Sequence, residues 1–272
     1  MCGRYASARK RIELLEEFAV DRDRVEEPLE PDYNVAPTKN VYAVLSRVPP
    51  ASAGESDAAP VSNGAAASDA VRQLRVVKWG LVPSWAKDPA IGSRMINARA
   101  ETVDAKPAYR KAFARRRCLL PADGYYEWQP VKIGDRTVKQ PYFISRTDGG
   151  SLAMAGIYEF WRDHSLPEDH ERAWLWTAAI ITTDTPDELG RIHDRMPMII
   201  EKSRWDDWLD PASNNPADLR ALLVPAVSGG LAWHPVSTQV NSVRHNGPEL
   251  IEPIEPEVAA GNGNGGGHAH RR

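Results

Sequence analysis

Cys2 stands directly behind the initiator methionine, and a methionine followed by so small a side chain is normally removed. The expected N-terminal residue is therefore a cysteine, whose amine and thiol sit on adjacent carbons. Reference pKa values of about 7.7–8.0 for an α-amine and about 8.5 for a thiol leave both partly reactive near neutral pH. An aldehyde is the natural partner of such a 1,2-aminothiol: the amine condenses to an imine, and the tethered thiol closes a thiazolidine ring. A cysteine near a terminus can equally be an inert small side chain, and position alone does not separate the two.

Three further segments carry groups that move or orient protons. Glu127 lies in Gly124-Tyr125-Tyr126-Glu127-Trp128, where aromatic neighbours would strip water from a carboxylate, raise its pKa and suit it to general acid catalysis. On an alternating strand it would instead face solvent, with Tyr126 and Trp128 on the opposite face. His193, in Arg191-Ile192-His193-Asp194-Arg195-Met196-Pro197, can present an imidazole to a pocket for proton transfer, or simply sit at a helix C-terminus. Asn97-Ala98-Arg99-Ala100-Glu101-Thr102 offers an amide to orient a sugar or carbonyl and Arg99 to hold a phosphate, or else reads as an N-cap and a helical turn. Asn34, Pro37 and Thr38, in Tyr33-Asn34-Val35-Ala36-Pro37-Thr38, read as a tight loop. His164, His170, His268 and His270 fall in polar segments and are set aside.

The elements that must position these groups are mostly strands. Strand-like runs occupy 41–45, 75–82, 118–120, 125–129, 142–145, 152–158 and 176–183. Ser7 followed by Ile12, Leu15, Phe18 and Ala19 predicts a capped amphipathic helix with Glu13, Glu16 and Glu17 toward water. A capping box at Thr185-Pro186-Asp187-Glu188 and the run 216–223 predict two further short helical pieces. In 49–70, seventeen of the twenty-two positions are Ala, Ser, Pro or Gly. Such a composition buries too little apolar surface to fold, so a disordered insertion between two strands is expected. The polar end of the chain, 255–272, reads as a disordered tail. No internal repeat breaks the chain into halves, and one domain over 2–254 is expected.

A chain of 272 residues with 42% hydrophobic content can build a substantial core. Its two cysteines, 2 and 118, with no CxxC and no cysteine–histidine cluster, argue against a disulfide framework and against structural zinc. No metal or cofactor is expected, and Cys118 is read as a buried strand residue. Early Arg9, Lys10 and Arg11 disrupt any signal-peptide pattern, and no run approaches the roughly 20 apolar residues of a membrane span, so a soluble intracellular protein is expected. The net charge of −3 speaks against nucleic acid, yet it averages two opposed stretches. Residues 13–32 hold nine acidic and two basic side chains, whereas 72–117 hold twelve basic and three acidic, a local +9. With Trp79 and Trp85 interleaved, the basic stretch is either a footprint for phosphates and stacked bases or ordinary solvated charge.

In combination these segments resemble the SRAP-domain family, the SOS-response-associated peptidases that include abasic-site processing proteins. The resemblance rests on eight blocks in order: Met1-Cys2-Gly3-Arg4-Tyr5, the 33–38 loop, Trp79-Gly80-Leu81-Val82-Pro83-Ser84-Trp85, the 97–102 run, Arg117-Cys118-Leu119-Leu120-Pro121, the 124–128 run, Ala155-Gly156-Ile157-Tyr158 and His193-Asp194-Arg195-Met196-Pro197. It spans roughly residues 2–240. It implies an α+β fold: a β-rich, barrel-like core of mixed or antiparallel strands, flanked by short helices and grooved for single-stranded DNA. It also implies catalytic roles for Cys2, Asn97, Glu127 and His193. Arg4, Arg99 and Arg195 would contact phosphates, while Trp79, Trp85 and the loop of Asn34, Pro37 and Thr38 would shape the groove. The implied activity is a thiazolidine crosslink between Cys2 and a ring-opened abasic deoxyribose, protecting the strand from cleavage. A monomer without cofactor is implied, cytoplasmic beside the nucleoid in a prokaryote or nuclear in a eukaryote, and the tail shows no replication-clamp motif. An N-terminal cysteine peptidase and a non-covalent reader of modified DNA are the competing activities.

Overall fold

Alternation along the strands sorts the apolar side chains into two sets, and that sorting builds the architecture. The computed structural model describes residues 2–48, 70–167, 170, 172–225 and 230–255. The readings of disorder for 49–69 and 256–272 lie outside the described residues. In chain order the strands are β1 (Tyr5–Ser7), β2 (Arg22–Asp23), β3 (Asp32–Val35), β4 (Asn40–Arg47), β5 (Val71–Trp79), β6 (Asn97–Arg99), β7 (Arg117–Ala122), β8 (Gly124–Ile133), β9 (Arg136–Arg146), β10 (Leu152–Arg162), β11 (Trp174–Asp184), β12 (Arg195–Pro197) and β13 (Leu231–Pro235). The helices are α1 (Arg11–Glu17), α2 (Arg110–Arg115), α3 (Trp205–Leu209) and α4 (Pro216–Leu222).

β4 pairs antiparallel with β5 and β7, β7 with β10, and β10 with β11. β11 then returns to β5 through a short parallel pairing, Thr177 with Lys78 and Ala178 with Trp79, which closes a five-stranded mixed barrel. Val41, Ala43, Leu45, Cys118, Leu120, Met154, Tyr158 and Ile180 fill its inside. Their strand neighbours Tyr42, Val44, Leu119, Ala155 and Ile181 face outward onto Leu14 of α1, Phe113 of α2 and the two tryptophans of α3. A second sheet, ordered β13-β9-β8-β1-β3, abuts the barrel, and β1 lies between β8 and β3. The α+β, barrel-like class is therefore the one observed.

Several local readings shift. Ser7 belongs to β1; the helix starts after Lys10, whose N–H donates to Glu13 Oε2 at 2.9 Å. Its inward face is Leu14 and Phe18, which leaves Ile12 58% exposed. Glu17 does not face water but accepts from Ser151 N–H and Oγ at 2.8 and 2.6 Å. The expected capping box is replaced by a 3-10 turn, Asp187–Arg191, that begins after Pro186 with no capping side chain. Residues 97–99 form a strand, so the N-cap reading of Asn97 fails there. The strand read over 75–82 stops at Trp79 because Gly80 turns the chain with φ +126°. A Cβ at Gly80 would lie 2.5 Å from the Gly92 carbonyl oxygen, so only glycine allows the two backbones to touch. Gly80→Ala is expected to cost about 2–4 kcal/mol in denaturant unfolding through strain and overpacking. A change below about 0.5 kcal/mol, the scale of an ordinary surface substitution, would contradict this role for the turn.

Candidate active site

Four arms bring the reactive groups together where the barrel abuts the second sheet. Cys2 precedes β1 and is fully buried in the cluster that holds Tyr5, Trp79 and Tyr125. Its backbone carbonyl accepts the Asn97 Nδ2–H at 2.8 Å, so β6 grips the start of the chain independently of the cysteine side chain. Asn97 reaches this position because β6 runs parallel to β11, with Asn97 opposite Ile180. Its Oδ1 is buried and has no hydrogen-bond partner among the described residues. A buried acceptor of that kind costs about 1–3 kcal/mol unless something donates to it.

Glu127 comes from β8 and is 4% exposed. Strand alternation places it on the same face as Tyr125, in the Cys2 cluster, while Tyr126 points the other way to Ala6 and Phe143. The solvent-facing reading therefore fails. Burial lifts its carboxyl to about 7. Burial likewise pushes the Cys2 thiol well above its ordinary value, and the Glu127 charge adds to the effect. His193 precedes β12, with its Nε2 3.9 Å from Glu127 Oε2. Burial lowers its pKa, against the opposing pull of Asp194, which favours the neutral ring at pH 7. The Arg195 N–H donates to His193 Nδ1 at 3.0 Å, leaving the Nε2–H of a neutral ring to face Glu127. Asp194 Oδ1 also lies 3.0 Å from Nδ1, placed to accept a proton there when the ring is charged.

The other sequence candidates separate into surface groups and internal ties. Arg99 and Thr38 are exposed, Pro37 is half-buried and Trp85 is 63% exposed. Thr38 holds a left-handed φ of +73° and donates its N–H to the Trp79 carbonyl at 2.8 Å. Trp79 itself is fully buried, edge-on to Tyr5 and donating Nε1–H to the Ile96 carbonyl at 3.0 Å; it supports the site from beneath and presents no face for a base. Asn34 is buried too. Its Nδ2 donates to the carbonyls of Val240, Ser242 and His245 at 3.2, 3.0 and 3.0 Å, while its Oδ1 accepts from Arg4 Nη1 at 2.5 Å. Arg4, half-buried, also donates to the Val240 carbonyl at 2.8 Å. Arg195 engages Glu101, Asp184 and the Thr182 carbonyl. Asn34→Ala would take this donor from the Ser242 and His245 carbonyls and leave Val240 with Arg4 alone, and a loss of about 1–3 kcal/mol in denaturant unfolding is expected. Unchanged stability would show that the 240–245 segment is held by other contacts. Glu101 and this C-terminal segment were missed in the sequence, since neither carries a local signature of its distant partner.

A buried cysteine near the start of the chain, held by an amide, with a carboxyl poised near neutrality and an imidazole beside that carboxyl, is an arrangement able to support acid-assisted nucleophilic chemistry. The chain belongs to the SOS response associated peptidase (SRAP) family, whose profile matches residues 1–243. It is 36% identical over 252 residues to YoqW of Bacillus subtilis, spanning 93% of this chain and 99% of that one. It is 32% identical over 262 residues to YedK of Escherichia coli, spanning 93% and 100%. Both relatives are named abasic site processing proteins. A crystal structure of a Bacteroides thetaiotaomicron protein matches with a TM-score of 0.70 at 25% identity, over 93% of this chain and 100% of that one.

Proposed function

We propose that this protein processes abasic sites in single-stranded DNA by capturing the opened deoxyribose on Cys2 as a thiazolidine. The observation that carries this reading is the approach of Asn97 to the Cys2 backbone and of His193 to Glu127, from four separate arms, with Cys2 and Glu127 buried and Asn97 and His193 partly exposed. The abasic sugar equilibrates between a closed hemiacetal and an open aldehyde, and only the open form accepts an amine. Glu127 protonates the ring oxygen, and the Cys2 amine adds to C1′. The ammonium so formed passes a proton to the neighbouring hydroxyl, which leaves as water while the neutral His193 Nε2–H hydrogen-bonds to it, and a protonated imine remains. Glu127, now ionised, takes the thiol proton and is restored; sulfur adds to C1′, and the C=N electron pair returns to nitrogen, which keeps its one proton. One water leaves overall, and no redox partner is needed. Ring closure removes the imine, which would otherwise acidify the adjacent C–H and invite strand cleavage by β-elimination.

Arg99, Lys87, Arg94, Lys106, Arg110 and Lys111 are exposed basic side chains able to supply charge for the phosphates of a bound strand. Trp85 offers the exposed face on which a neighbouring base can stack, with Pro37 and Thr38 beside the path. The deciding experiment is intact mass spectrometry before and after incubation with a uracil-containing single-stranded oligonucleotide treated with uracil-DNA glycosylase. Loss of the initiator methionine and a denaturation-resistant adduct that depends on Cys2 are expected. A processed Cys2 that leaves a verified abasic site unmodified would sink the proposal.

A further inference from the structure

A neutral imidazole has two tautomers, and at His193 two groups compete to choose between them. Asp194 Oδ1, 3.0 Å from Nδ1, favours a proton on Nδ1. The Arg195 N–H, 3.0 Å from the same atom, requires Nδ1 to be bare and so places the proton on Nε2, toward Glu127. Which one prevails depends on how firmly the backbone at Arg195 is held.

It is held by the ladder to β11, where Asp184 lies opposite Arg195 and the Thr185 N–H donates to the Asp194 carbonyl at 2.9 Å, and by its own side chain. β6 and β12 flank opposite edges of β11, since Thr182 pairs with Arg99 on one side and Pro197 on the other. The Arg195 side chain, 10% exposed, crosses β11 from β12 toward β6. There its two terminal nitrogens donate to the two carboxylate oxygens of Glu101 at 2.9 and 3.1 Å. Nη2 also donates to the Thr182 carbonyl at 2.7 Å, which accepts the Ala100 N–H at 2.8 Å, and Nη1 meets Asp184. The planar fork thus straps the arm carrying Asn97 to the arm carrying His193, and a paired carboxylate is the geometry that completes it.

We propose that Glu101 is a positioning residue which, through Arg195, selects the Nε2–H tautomer of His193 and makes that ring a hydrogen-bond donor to the reaction. The catalytic half of this inference rests on the abasic-site reading; the tautomer half does not. Glu101→Gln puts an amide N–H against a guanidinium and breaks the two-point grip. Arg195→Lys keeps the positive charge but loses the fork. Both variants and the wild type would be labelled with 15N-histidine and compared by NMR at pH 8.5, with His193→Asn identifying the resonances. A single Nε2–H form is expected in the wild type, and a mixture with the Nδ1–H form in both variants. At saturating abasic-site DNA, crosslinking should fall about tenfold, the scale of misplacing a hydrogen-bond donor. A wild-type tautomer in Glu101→Gln overturns the inference whatever the rate. A shifted tautomer with an unchanged saturated rate overturns its catalytic half. Should Glu101→Gln lose its folded spectrum, Arg195→Lys decides by the same criteria.

Discussion

Cys2→Ala is expected to reduce the stable DNA adduct by about a hundredfold or more while still forming an imine that borohydride traps. The amine survives the substitution, and its anchor is the backbone: the Asn97 amide holds the residue-2 carbonyl, not the side chain. Alanine also fits, since the cysteine occupies a fully buried position and the replacement only removes sulfur. The variant therefore halts at the imine, where β-elimination competes, and nicked oligonucleotide should accumulate. A denaturing gel run with and without borohydride reads both outcomes. Absence of any trappable species would rule out amine-first chemistry, because the amine is held in place by contacts the mutation does not touch.

Glu127→Gln should slow crosslinking by about a hundredfold, within the usual range for removing a general acid. Glutamine preserves shape and polarity but has no proton to give. The pH dependence sharpens the test. The wild-type rate needs Glu127 protonated, with its carboxyl near 7, and the amine unprotonated, with a reference value of about 7.7–8.0. A bell centred just above neutrality follows, and Glu127→Gln should lose the alkaline fall. Stability has the matching sign. A carboxyl raised from 4.5 to about 7 is fully accommodated below 4.5, and the folded state loses stability as pH climbs through 7. Glutamine escapes this loss, so the variant's melting temperature should gain on the wild type between those values and hold its lead above them. A rate equal to wild type across the range would remove Glu127 from the reaction.

The candidate site was more legible in the sequence than the scaffolding around it. Cys2, Asn97, Glu127 and His193 each admit a bland reading by residue type and are singled out together by the family resemblance, whereas the long strands are marked by runs of β-branched and aromatic residues. What fails is anything set by pairing across long separations. Trp79 reads as a stacking surface, but the parallel contact of β5 with β11 turns it into the barrel. Asn34 looks like a loop residue, and its three carbonyl partners lie more than two hundred positions away. Arg195 sits in a recognisable block, yet nothing in that block says that its guanidinium meets a carboxylate across another strand. α1 slips because Ser7 satisfies a capping rule locally while β1 claims it for a sheet.

The full burial of Cys2 has a consequence outside the reaction itself. Peroxides and disulfides attack thiolates that they can reach, and this thiol is both hidden from solvent and pushed far from ionising. It will resist sulfenic acid formation and glutathione capping over long exposures in a cell. On the proposed reading Cys2 is spent once, in a covalent adduct, and this arrangement preserves that single reagent beforehand.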